Sequence, residues 1–328
     1  MTYGAIGRFL LPMGEPLVRR WFDRTLYAPP GIRARVRRLA GGPRLRRAEK
    51  SAEIDALRAL LTEVADAVPR GPAIFVRDYD TSDRGRVVAF FFREGESAPC
   101  VMAKAQFGAS ALPAEAETLE HLRATLPAEL LSTLPRVLRS HVSARGEILL
   151  TTVLPGRSSY VELMRSLAPS RLFARHFAIA GRWLAAFHRA TRTSTVSIID
   201  GIEIPHSAAH GDFWPHNVLH DENDAAGVVD WEHCLRDASP FLDVFHYALA
   251  YGISSFRRLP AEEAFRRTFH AHNPLARAVQ QYLRDYAARA ELPPRVLAPA
   301  FETFIATRGR MTATTPPRPG AFWRTVME

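Results

Sequence analysis

The sequence predicts an α+β protein of two lobes, a small antiparallel β-sheet lobe followed by a mainly helical one. Three observations predict it. Short apolar runs separated by turn residues crowd residues 73–154, as the strands of a meander do. Helical periodicity then dominates from residue 172 to residue 307. One stretch interrupts the helices: residues 210–219, His-Gly-Asp-Phe-Trp-Pro-His-Asn-Val-Leu, followed by residues 227–232, Gly-Val-Val-Asp-Trp-Glu.

With 328 residues, 47% hydrophobic and 23% charged, the chain can bury a sizeable core in two lobes. No run reaches the roughly 18 apolar residues of a membrane helix. Near the N-terminus only Phe9, Leu10 and Leu11 are continuously apolar before Pro12, too short a run for an export signal. Cys100 and Cys234 are the only cysteines and read as buried thiols, so a cytoplasmic location is expected.

The net charge of +9 is uneven. Residues 1–70 hold 14 Lys and Arg against 7 Asp and Glu, whereas residues 157–328 hold 20 against 17. Of 43 basic residues only Lys50 and Lys104 are lysine, so a lysine is informative where arginine is the default cation.

Residues 1–50 show no clear period. Arg33, Arg35, Arg37, Arg38, Arg44, Arg46 and Arg47 make a basic cluster, read either as a solvated extension or as a surface for a polyanion or membrane. Without interleaved aromatics or a binding motif, nucleic acid is not an expected partner. A helix is predicted over 51–67, with Ser51 as N-cap and an Ile54, Leu57, Leu60, Leu61, Val64 stripe. The domain boundary is placed near residue 70, giving a basic extension (1–70), an N-lobe (71–154) and a C-lobe (155–328).

Strands are expected at 73–76, 87–92, 100–105 and 147–154. The loop between the first two could cover phosphates with backbone N–H groups, or could be an ordinary hairpin turn. Ser82 and Gly85 are its candidate contacts. The loop is poor in glycine, and Asp80 and Asp83 would repel phosphate if they faced it.

Lys104 stands inside an apolar strand, where a cation is costly unless paired. The predicted helix at 113–124 offers Glu115, Glu117 and Glu120, and Glu115 lies nearest its inward stripe. Pro155-Gly156 marks the crossing between lobes. Beyond it, helices are expected at 172–190, 240–251, 260–270, 274–290 and 296–307, with nothing but the hairpin between them.

That hairpin pairs residues 218–219 with 228–229 across the turn residues Asp221, Glu222, Asn223 and Asp224. Asp212, Asn217 and Asp230 then fall at one end of it. Two oxygen ligands and a separate carboxylate suit Mg²⁺-dependent phosphoryl transfer.

On these residues the chain resembles the aminoglycoside phosphotransferase and choline kinase family, over about residues 72–307. The His-Gly-Asp-x-x-x-x-Asn signature, the Val-Val-Asp-Trp-Glu segment and the Ala-Phe-His stretch at 186–188 carry the resemblance. It implies a protein-kinase-like fold and an ATP-dependent kinase acting on a hydroxyl of a small molecule. Asp212 would be the catalytic aspartate, and Asn217 and Asp230 would hold Mg²⁺. Lys104 would contact phosphates and pair with Glu115. Residues 151–154 would form the hinge, with the Thr152 carbonyl and the Leu154 N–H on the adenine edge.

Asp243 would brace the catalytic loop, His210 would bond the loop backbone, and Trp231 and Glu232 would support the metal strand. His188, His216, His233 and His246 lack metal-site spacing and read as core or surface residues. Phe213 and Trp214 read equally as acceptor lining or as core. The near-neutral C-lobe does not favour a polycationic acceptor. The basic N-terminus suits an anionic membrane or a phosphorylated glycan. An inactive nucleotide-binding scaffold is the rival reading.

Overall fold

In a computed structural model the chain is described over residues 3–6, 8–27, 46–47, 52–77, 85–107 and 112–313. It divides into two compact units, Met1–Ala124 with Ser132–Arg157, and Thr125–Leu131 with Ser158–Glu328.

The first unit is built on one antiparallel sheet. In chain order its elements are β1 (Tyr3–Ile6), β2 (Phe9–Pro12), α1 (Pro16–Thr25), β3 (Arg46–Arg47), α2 (Ala52–Glu63), β4 (Ala73–Arg77), β5 (Arg86–Phe92), β6 (Pro99–Gln106) and α3 (Leu112–Thr125). After the short α4 (Ala128–Leu131) of the second unit come β7 (Val137–Ser143) and β8 (Gly146–Thr152). The eight described strands run in the order β3-β1-β2-β4-β5-β6-β8-β7.

Residues 1–50 show no period in the sequence, yet they contribute three of these strands and a helix. Four-residue strands are too short to register as alternation. Pro16 occupies the first turn of α1, where its missing N–H is not needed. Of the basic cluster, only Arg46 and Arg47 lie in the described residues, and there only as backbone.

Strand alternation sends each sheet residue to one of two faces. On one face α2 lays Ile54, Leu57 and Leu60, with Val64 just past its end, over Phe75, Val87, Ala89, Ala103, Ala105 and Leu150. The predicted helix stripe is therefore a core stripe. The helix ends at Glu63, and residues 65–67 form a separate 3₁₀ turn. Its expected N-cap, Ser51, lies outside the described residues. On the other face α1 packs Val18 and Phe22 against Leu11, Ile74 and Phe92, and α3 packs Leu112 and Ala116 against Leu149.

The second unit follows β9 (Arg157–Ser158) with α5 (Ser159–Arg165) and α6 (Phe173–Ala190). The Ser158 hydroxyl caps α5 by accepting from the Val161 N–H at 3.2 Å. Then come β10 (Val196–Ile199), β11 (Ile202–Pro205), β12 (Ser207–Ala209), β13 (Val218–His220), β14 (Ala226–Val228) and β15 (Leu235–Ala238). The helices α7 (Phe241–Ser255), α8 (Ala261–Phe269), α9 (Pro274–Arg289) and α10 (Leu297–Ala313) complete it.

The expected hairpin is β13–β14, with Val218 opposite Val228. It does not stand alone among the helices. β10 pairs with β11, and β12 with β15, in strands of three or four residues that leave no readable alternation. The five helices expected here form within a few residues of their predicted bounds, α10 extending furthest. Gly252 of α7 lets Thr268 of α8 approach: a Cβ there would stand 1.9 Å from the threonine hydroxyl. Among the described residues no helix is long and apolar enough to cross a membrane. Both cysteines are free and half-buried.

Candidate functional site

The loop that joins β12 to β13 carries the densest set of candidate residues. Its backbone is held from behind by Asp243, fully buried in the first turn of α7. Asp243 accepts the His210 N–H at 2.6 Å and the Gly211 N–H at 3.0 Å, one on each carboxylate oxygen. Burial alone would raise the Asp243 pKa. The neighbouring His188 and His210 outweigh it and hold the carboxyl below its ordinary value. His188 Nε2 stands 3.7 Å from Asp243, an ion-pair distance and too long for a hydrogen bond.

Gly211 cannot be another residue without movement. Its φ is +79°, and a Cβ would stand 2.1 Å from the His233 carbonyl oxygen. His210 is fully buried and bonds the loop as expected. Its Nε2 lies 3.0 Å from the Val229 carbonyl, and its Nδ1 lies 3.3 Å from the Asp212 N–H. That pair of contacts requires the proton on Nε2 and the lone pair on Nδ1.

Past Asp212 the chain folds back tightly. The Trp214 N–H donates to the Asp212 carbonyl at 2.8 Å, and the Asn217 N–H donates to the Trp214 carbonyl at 2.9 Å. The Asn217 amide Nδ2 donates to the Asp212 carbonyl at 2.9 Å and reaches its carboxylate at 3.3 Å. This fixes Asn217 so that its amide oxygen is the end left to act as a ligand. The Val229 N–H donates to the Asn217 carbonyl at 3.0 Å, which sets the next residue, Asp230, beside that loop. Asp230 has φ +71°, a left-handed conformation uncommon outside glycine and better tolerated by Asp and Asn than by most residues. A backbone held there costs about 1–3 kcal/mol. Trp231, fully buried, donates its indole N–H to the Val228 carbonyl at 3.1 Å and anchors this turn.

The structure also separates Phe213 from Trp214. Phe213 is fully buried among Trp183, His210 and Tyr247, hence core. Trp214 is half-buried, edge-on to His246, and His216 is exposed and stacked on Tyr160. His188 and His246 are buried, and His216 and His233 are exposed.

Behind the hairpin lies a polar network that no sequence motif announces. Its members are single residues scattered from 159 to 251. The Ser159 hydroxyl bonds His220 and Tyr247, and His220 stacks on His176 with ring centroids 4.6 Å apart. His176 in turn bonds Glu162 at 2.8 Å and Tyr251 at 2.9 Å. Burial, and then the adjacent His176, lower the His220 pKa to about 3.

In the first unit, Lys104 and Glu115 meet. The ammonium lies 2.8 and 2.7 Å from the two carboxylate oxygens, and the two residues are 5% and 2% exposed. Glu117 and Glu120 are exposed. Thr152 ends β8; its N–H donates to the Arg136 carbonyl and its hydroxyl accepts the Arg136 N–H, both at 2.9 Å. Leu154 follows in irregular, half-buried chain. Ser82, with Asp80 and Asp83, lies outside the described residues.

The oxygen donors Asn217 and Asp230 suit a hard cation such as Mg²⁺. No protein-family model and no curated protein matches the chain. Solved structures similar to it include aminoglycoside phosphotransferase APH(3'')-Id from Streptomyces rimosus. In complex with ADP and streptomycin that protein is 16% identical, with 76% of this chain and 98% of the other covered and a TM-score of 0.47. A thermostable mutant of aminoglycoside phosphotransferase APH(4)-Ia is 14% identical over 77% of this chain and 94% of the other, at a TM-score of 0.40. These proteins are of the family that the sequence resembles. A similarity this distant assigns no reaction, so the chemistry has to come from the residues themselves.

Proposed function

We propose that the chain is an ATP-dependent phosphotransferase that moves the γ-phosphoryl group to a hydroxyl of a small molecule. One observation carries the reading. Asp212, Asn217 and Asp230 lie on a loop and hairpin tied together by the hydrogen bonds of Asn217, and the buried Asp243 fixes the start of that loop at His210 and Gly211. Such transfer needs charge neutralisation and in-line positioning more than covalent chemistry.

In this reading Asp212 orients the acceptor hydroxyl and takes its proton as the oxygen attacks phosphorus. Asn217, through its amide oxygen, and Asp230 hold Mg²⁺, which supplies positive charge to the nucleotide phosphates when bound. Lys104 contacts the α- and β-phosphates, and Glu115 keeps its ammonium placed. The backbones of Thr152 and Leu154 receive the adenine edge, and Ser82 meets phosphate. Trp214, not Phe213, is left as a candidate to line the acceptor.

The acceptor class is a sugar, amino sugar, amino alcohol or related metabolite. An anionic membrane or phosphorylated glycan would be met by the arginines at 33–44. Since β1, β2 and α1 belong to the sheet unit, the test removes residues 30–44 rather than the whole N-terminus. Unchanged affinity for anionic vesicles would end that part of the reading. The central test is mass-spectrometric detection of a phosphorylated product from a metabolite pool with ATP and Mg²⁺. Product that forms equally with Asp212→Ala, or nucleotide binding with no product from any hydroxyl compound, would count against the transferase.

A further inference from the structure

We propose that α1 is a wall of the nucleotide-base slot, with Trp21 and Phe90 as its aromatic side and the Thr151 hydroxyl as its polar contact. The inference rests on the phosphotransferase reading and adds to it a role for the N-terminal segment.

The strand registers place these residues. Lys104 pairs with Val88 on one side and Leu149 on the other. Two residues along β6, Met102 pairs with Phe90 and Thr151. Cross-strand partners share a face, so Val88, Phe90, Met102, Lys104 and Thr151 lie on one surface of the sheet. The opposite surface is closed by α2, and Val87, Ala89, Ala103 and Ala105 are fully buried there. On the Lys104 surface the closure is incomplete. Leu149 is covered by α3 and Ile74 and Phe92 by α1, whereas Phe90, at the edge of the α1 cluster, and Val88 and Met102 beyond it are only half-buried.

Trp21 projects from α1 onto this surface. Its ring centroid is 5.4 Å from that of Phe90 and 5.5 Å from that of Phe92, and it too is half-buried. Aromatic rings standing beside a half-covered apolar strip match the faces of a flat heterocycle. The second observation is independent. Thr151 is 1% exposed, and its hydroxyl has no hydrogen-bond partner among the described residues. A buried hydroxyl without a partner is unfavourable, and an edge nitrogen or oxygen of a base would satisfy it. Strands rise about 3.3 Å per residue, so Met102 lies about 6.6 Å along the strand from Lys104. A ribose puts a similar distance between a base and its first phosphate. The occupant is therefore the base of the nucleoside triphosphate whose phosphates Lys104 would hold.

The experiment uses the full chain, mant-ATP and inorganic tripolyphosphate. Energy transfer from tryptophan to the bound mant group is compared between wild type and Trp21→Phe, which keeps a ring but removes the donor. Affinities are compared for Trp21→Leu, with a thermal melt to show that the fold persists. We expect Trp21→Phe to lose a distinct share of the transfer. Trp21→Leu should weaken mant-ATP about tenfold and leave tripolyphosphate competition unchanged. Equal loss for both ligands would assign Trp21 to the core and overturn the proposal, as would unchanged transfer and affinity. Wild type that binds no mant-ATP would remove the phosphotransferase reading together with this one. Wild type that binds and transfers phosphate while the variants match it would remove this one alone.

Discussion

Among the described residues each unit buries one carboxylate deep in its interior, and the two are satisfied in different ways. Glu115 is paired with a full opposite charge, the ammonium of Lys104. Asp243 instead takes two backbone N–H groups in the first turn of a helix, with an imidazole 3.7 Å away. The first arrangement orients a side chain: it fixes where Lys104 ends. The second orients a main chain: it fixes the path of His210 and Gly211, and through them where Asp212 begins. The proposed transfer would use both, Lys104 as a placed side chain at the phosphates and Asp212 as a residue presented by a fixed turn. Buried charges of either kind contribute little net stability, yet removing one partner is expensive because the other stays behind uncompensated.

The comparison is tested most severely at the residue the loop presents. Asp212→Asn keeps the shape of the turn and removes the proton acceptor. Transfer should fall by about 10²–10⁴-fold while ATP affinity stays within a few-fold. Single-turnover rates and equilibrium binding read the two separately, and equal losses in both would mean that Asp212 serves binding. Lys104→Met comes next. It strands Glu115 in the interior and should destabilise the chain by about 3–5 kcal/mol in urea unfolding. Adding Glu115→Leu should restore most of that stability without restoring nucleotide affinity. If the double variant binds nucleotide normally, the pair is structural only.

The fold class was legible because its signals are local. The strands of β4, β5, β6 and β8 and the long helices carry apolar runs bounded by turn residues, and nothing non-local is needed to see them. Lys104, Asp212, Asn217 and Asp230 were legible because chemistry restricts their residue types and because they sit at the ends of readable elements. Asp243 was visible only through the family resemblance. Its two backbone bonds join residues more than 30 positions apart, which no window along the chain can register. The N-terminal strands were hidden by their length of four residues or fewer, and β10, β11, β12 and β15 for the same reason. Trp21 stayed silent, and Thr151 stood out only as part of the hinge, because their environment is set by sheet register. Phe213 and Trp214 could not be told apart until the turn sent one inward.

Asp243→Asn weakens the second anchor without emptying it. The amide keeps one neutral carbonyl acceptor, so one of the two N–H groups loses its acceptor altogether, at about 1–3 kcal/mol. Transfer should fall with it, since the loop that carries Asp212 loosens. Lys104→Met should leave that loop intact. Hydrogen exchange at the His210 and Gly211 amides distinguishes the two variants: only Asp243→Asn should accelerate it.

The smallest effect concerns the second unit's buried histidine. The folded-state pKa of His220 is lowered to about 3, by burial first and His176 next, whereas an unfolded histidine titrates near 6.5. Between those values the unfolded chain binds the proton and the folded chain does not. Stability from this site is therefore fully present above about pH 6.5 and declines as pH falls toward 3. At pH 5 the loss is about 2 kcal/mol relative to pH 8. Asp243, with a depressed carboxyl, has the same sign but a lower window. Its contribution holds above the ordinary aspartate value near 3.9 and fades below it. His220→Gln, unable to titrate, should flatten the urea midpoint between pH 8 and pH 5 and leave the steeper loss below pH 4. A midpoint that still drops by the wild-type amount between pH 8 and pH 5 would place the titrating group elsewhere in the chain.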